Sequence, residues 1–117
     1  MRPVQSFPVS TVQSGFANVL LAVQRDGTAV LTYHDRDDEA VLVIRSELWH
    51  ETREAYPVDE GKIMEPLAIA DARAVFARVR EHVVYDGYHA PITRHRREHA
   101  VVVPLGWARQ ARLVQWP

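Results

Sequence analysis

The sequence predicts an α+β fold in which two tandem strand-helix-hairpin-helix repeats pack against each other as an intramolecular pseudo-dimer. Three observations carry that expectation. Features recur at a spacing of about sixty residues, the mark of an internal repeat: Phe16, Ala17, Val19, Val23 and Asp26-Gly27 lie over Phe76, Ala77, Val79, Val83 and Asp86-Gly87. A slip of one residue sets Leu31-Thr32 over Ile92-Thr93, the original spacing returns for residues 40–43 over 100–103, and both copies then reach a tryptophan, Trp49 and Trp107. Second, each copy passes from a helical apolar period to short β-branched runs. Third, a unit of about sixty residues buries only about 60% of its unfolded surface, so two copies covering each other's apolar faces are the stable solution. The expected division is a first, acidic repeat over 1–56, a linker over 57–62 and a second, basic repeat over 63–117.

Each element has a local reason. Residues 4–9 and 63–69 both contain proline and read as extended edge segments. Ser10 followed by Gln13 reads as a capping box, the hydroxyl accepting an orphan backbone N–H while the amide reaches back. The helix begun there carries Val12, Phe16, Val19, Leu20 and Val23 on one stripe and stops at Asp26-Gly27; Ala72, Phe76, Val79 and Val83 repeat the stripe. Residues 28–32 and 40–44 flank a polar stretch and predict a hairpin, as do 90–93 and 100–103. Ser46 is expected to cap a short helix running through Trp49 and ending before Pro57. The expected shared core is Phe16, Val19, Val23, Phe76, Val79 and Val83.

Composition bounds the function. The 117 residues include 14 Lys+Arg and 15 Asp+Glu, but residues 1–60 hold 5 basic and 10 acidic side chains whereas 61–117 hold 9 and 5. One acidic and one basic face are expected, the basic one suited to a polyanion. There is no cysteine, hence no disulfide or thiolate chemistry. No apolar run reaches the ~18 residues of a membrane span, and the N-terminus lacks a signal-peptide pattern, so a cytoplasmic protein without membrane contact is expected. Gly-rich phosphate loops, nucleophile elbows and His-Glu-x-x-His helices are absent, so neither an enzyme nor a cofactor is expected. His95 and His99 stand four apart, but in a hairpin and with few carboxylates nearby, which argues against a metal. His34, His50, His82 and His89 read as surface or half-buried, and Trp49, Trp107 and Trp116 as packing residues, with base stacking by Trp116 as an alternative.

The second copy runs Ile69-Ala70-Asp71-Ala72-Arg73-Ala74-Val75-Phe76, then Ile92-Thr93-Arg94-His95, then Ala100-Val101-Val102-Val103-Pro104. This order is similar to that of the Phd/YefM antitoxin family, and Val9-Ser10, Phe16, Leu31-Thr32 and residues 40–43 resemble it more loosely. The resemblance implies a DNA-binding, dimerising domain that represses its own operon in a type II toxin-antitoxin system and neutralises a toxin through a C-terminal tail. It places Arg73, Arg94, His95, Arg96 and Arg97 at DNA. Here one chain holds both protomers. The first copy has Gln13 and Tyr33 where the second has Arg73 and Arg94, and its loop, residues 35–39, is acidic and expected to repel phosphates. The family's loop glycine is absent, and little room is expected after Trp107 for a toxin-binding tail. Expected partners are therefore operator DNA, a toxin, and other copies through basic and acidic faces. The alternative is a module of the same fold that has lost DNA and binds a protein.

Overall fold

The computed structural model describes residues 5–34 and 36–115. In chain order its elements are β1 (Ser6–Pro8), α1 (Thr11–Asp26), β2 (Thr28–Tyr33), β3 (Arg36–Arg45), α2 (Ser46–Ala55), a 3₁₀ turn (Glu60–Lys62), β4 (Leu67–Ala68), α3 (Ile69–Ala74), α4 (Phe76–Asp86), β5 (Ala90–Arg94), β6 (Arg97–Pro104) and α5 (Leu105–Gln110). The six strands make one sheet in the order β1-β2-β3-β6-β5-β4, giving a mixed α/β fold. The edge strands β1 and β4 pair parallel to β2 and β5, and every other pairing is antiparallel. Strand order and pairing sense are therefore the same read outward from either side of the β3–β6 seam.

The seam explains the apolar runs at its centre. β3 and β6 are covered on both faces, so residues 40–44 and 100–103 are apolar without alternation. Over one face lies a core with Phe16, Val19, Val23, Phe76, Val79 and Val83, all six residues expected there. On the other face α2 and α5 bury Trp49, Leu105 and Ala108 against Leu42, Ile44 and Val103. Phe16 and Phe76 meet edge to face, 5.8 Å between centroids. In both halves the helical path breaks one residue before this phenylalanine, at Gly15 (φ −156°, ψ 41°) and at Val75 (φ −116°, ψ 23°).

Register corrects the sequence alignment. Ala40 faces the α2/α5 core whereas Ala100 faces the opposite one, so residues sixty apart in β3 and β6 lie on opposite sides of the sheet. The faces match when Ala29 and Leu31 lie over Ala90 and Ile92, and Val41 and Val43 over Ala100 and Val102. A sheet has period two, so only odd spacings preserve a face. The spacing rises at Tyr88-His89, which precede Ala90 where Thr28 alone precedes Ala29. It falls again because the first hairpin is longer on its β3 side: the pairing shifts from Leu31↔Val41 to Tyr33↔Arg36, against Ile92↔Ala100 to Arg94↔Arg97 in the second. Val43 and Val102 are then both equivalents and partners across the seam. By the same spacing Trp49 corresponds to Ala108, and Trp107 to Leu48, so the two tryptophans are not equivalent.

Two local expectations also change. Ser10 adopts helical angles (φ −61°, ψ −23°) and its side chain caps nothing, so the capping box does not form. Ser46 lies inside α2, after an extended Arg45, and its hydroxyl donates instead to Glu98 at 3.1 Å. The linker is tied down: Asp59 accepts from Gly61 N–H, and His89 N–H donates to the Lys62 carbonyl at 2.8 Å. The Val4 end of the first edge segment and Trp116 lie outside the described residues.

His89 is not a surface residue but 3% exposed. Trp49 Nε1 donates to its Nδ1 at 3.0 Å, and the Trp107 ring stands 4.8 Å away, edge on. The accepted bond leaves the proton on Nε2 of a neutral ring. Burial first, and the Arg53 charge second, lower its pKa from 6.5 to about 4. The fold thus excludes the protonated form that the unfolded chain adopts. Its contribution is complete above pH ~6.5 and is lost as pH falls through 4, a change on the order of 3 kcal/mol by linkage. Urea midpoints measured across this window should fall steeply for the native chain and less for His89→Gln, which stays neutral.

Candidate nucleic-acid interface

The β5–β6 hairpin closes with Arg94 paired to Arg97, leaving His95 (φ 52°) and Arg96 (φ 63°) as a two-residue turn. Positive φ at both centres is the geometry of a type I′ turn, whose twist suits a hairpin and whose preferred residues are Asn and Gly. Two large side chains occupy left-handed conformations there, at an energetic cost. Arg94, His95, Arg96 and Arg97 are all exposed.

Arg73 projects from α3, and it lines with Arg94 an open cleft of about 370 Å³ whose other walls include Phe16, Leu20, Ile69 and His99. Arg73 and Arg94 are thus brought together, while His95, Arg96 and Arg97 sit on the turn beyond. Among the described residues none of these four arginines forms an ion pair. The neighbouring acid, Glu98, is engaged elsewhere. It accepts from Ser46, and its pKa is lowered chiefly by the hydrogen bond with His50 at 2.7 Å. His99 is half-buried, with Nδ1 3.4 Å from Gln24 Nε2 and its Nε2 sealed without a partner. Burial and then the Arg94 charge lower its pKa, which favours the neutral ring.

The topologically equivalent place in the first half has different chemistry. Tyr33 pairs with Arg36 and His34 has φ 50°; Asp35 lies outside the described residues. Here the helix facing the hairpin is α4, and its Arg80, sixty residues on from Leu20, narrows the space to a cleft of about 210 Å³. The Arg80 guanidinium stacks 3.7 Å from the Tyr33 ring centroid and donates to the Glu39 carbonyl at 3.3 Å. The Glu39 carboxylate accepts from the Tyr85 hydroxyl and from Arg36 at 3.1 Å. These bonds, Tyr85 first, hold Glu39 below the usual carboxylate range, and Glu39 in turn raises Tyr85 and Arg36. The acidic loop is therefore not one outward-facing block: Asp37 and Asp38 are exposed, but Glu39 is 7% exposed and bound inward.

Sequence reasoning missed Arg80 and Tyr85, and it weighed His99 only as a metal ligand, not as a wall of the cleft. A legible signal existed for Arg80, since an arginine stands over Leu20 in an otherwise apolar stripe. Among the described residues no group of three His, Asp or Glu side chains is placed to hold a metal ion, and no helix is long and apolar enough to cross a membrane. Compared with protein-family models, with curated proteins and with solved structures, the chain matches none.

Proposed function

We propose that this chain is a DNA-binding transcriptional regulator of Phd/YefM antitoxin type, carrying both protomers of that family's dimer in one polypeptide and binding duplex through its second half. The strained turn carries the reading. Two bulky residues, His95 and the cationic Arg96, are kept where Asn-Gly would be favoured, and unfavourable backbone conformations persist mainly where function requires them. Unpaired guanidinium groups on such a turn bind phosphates, and read guanine edges if the turn enters a groove. The palindromic sheet and the Phe16–Phe76 contact support the pseudo-dimer, and a toxin is the protein partner that this type of regulator would neutralise.

A double substitution tests the reading, because shape and charge can be separated. His95→Asn with Arg96→Gly relieves the turn and should raise stability by about 1 kcal/mol. If the turn serves only the fold, nothing else changes. On the DNA reading, affinity for the duplex upstream of the gene falls several-fold in the more stable variant. Unchanged affinity would favour the second reading, a protein-binding module. That reading rests on Leu21, an apolar side chain 64% exposed on the wall of the same cleft.

A further inference from the structure

The internal symmetry is also broken in the cleft beside the proposed DNA surface. In the first half, Arg80 stacked on Tyr33 narrows the space between hairpin and facing helix to about 210 Å³, with Gln13 and Tyr33 where the second half has Arg73 and Arg94. In the second half Leu20 stands where Arg80 does, and the space is wider, walled by Phe16, Leu20 and Ile69 with Arg73 and Arg94 beside them. A cleft of about 370 Å³ falls within the range of small-molecule sites, and an apolar wall with a few convergent polar groups is their usual construction. The apolar wall alone would take any hydrophobic body. Its two cations set the complement: an anion at one end of an apolar chain or ring. Both guanidiniums present planar donor forks that match a carboxylate.

We propose that this cleft binds a small organic acid with an apolar body, the carboxylate held by Arg73 and Arg94 and the body lying along Phe16, Leu20 and Ile69. Because both arginines belong to the proposed DNA surface, the acid and a phosphate compete for them, and the ligand acts as an inducer that lowers DNA affinity. That consequence rests on the DNA reading; the binding itself does not.

The two are therefore tested apart, using octanoate as the probe on the full chain without DNA. Isothermal calorimetry or protein-observed NMR should show saturable octanoate binding, with shifts at Leu20, Leu21 and Ile69. Octanol, with the body but no charge, and acetate, with the charge but no body, should each bind at least tenfold more weakly. Arg94→Gln should weaken octanoate about tenfold. Ala17→Trp blocks the cleft from an exposed helical position, outside both the core and the basic turn, and should abolish octanoate binding while leaving the melting temperature unchanged. Octanol binding as tightly as octanoate, or octanoate binding that survives Ala17→Trp, would overturn the proposal. With DNA present, saturating octanoate should weaken the native complex and leave that of Ala17→Trp unaltered. If octanoate binds as described and DNA does not, the regulator reading fails and the acid site stands.

Discussion

Truncating Phe16 or Phe76 to alanine should destabilise the chain by about 3–5 kcal/mol, a large part of the 5–15 kcal/mol typical of a domain. The two rings are 2% and 4% exposed, and they touch each other at the centre of one continuous core. Neither ring belongs to one half alone. Each substitution should therefore lower the denaturation midpoint of the whole chain in a single transition. The double variant should cost less than the sum by about 0.5–1.5 kcal/mol, the value of an aromatic pair. Two resolved transitions, with only the mutated half shifted, would contradict the shared core.

On the proposed DNA reading, the second large effect is at the duplex. Changing Arg94, Arg96 and Arg97 together to alanine should remove about three counterion-releasing contacts, each worth about 0.9 in the slope of log K against log salt. At low salt that is a loss of binding by orders of magnitude. The three side chains are exposed, so the fold should survive, with a melting temperature close to that of the native chain. Arg73→Ala alone should reduce the slope by about one. In the first half, Asp37→Asn with Asp38→Asn should strengthen binding if that hairpin also approaches the duplex, through loss of like-charge repulsion. Affinity that does not change would place the first hairpin away from DNA.

Much of the fold was legible because it follows from periodicity. The stripes of Phe16, Val19 and Val23 and of Phe76, Val79 and Val83 fix the helical faces, and the β-branched runs fix the hairpins. What identity could not supply was the register. Matching Ala40-Val41-Leu42-Val43 to Ala100-Val101-Val102-Val103 maximises likeness, yet it sets inward residues over outward ones; pairing across the seam decides this, and pairing is a long-range property. The capping box failed for a related reason. Ser10 is drawn into helical angles directly after the edge strand, whereas a capping residue needs extended ones, and its side chain makes no cap hydrogen bond. His89 read as ordinary because its two tryptophan neighbours come from positions forty residues upstream and eighteen downstream.

At the candidate site the cations were legible and their contrast with the first half only partly so. Arg94, Arg96 and Arg97 announce themselves by clustering. The inward turn of Glu39 depends on Tyr85 and Arg80, which come from another helix, and no local rule brings those three residues together.

The most direct test of the central claim is a salt titration of the purified chain against the duplex upstream of its own gene, beginning at low ionic strength. If the second half presents Arg73, Arg94, Arg96 and Arg97 to phosphates, log K should fall with log salt at a slope of about −3 to −4. Binding with no salt dependence, or none at all at low salt, would contradict the regulator reading and leave a protein-binding module in its place.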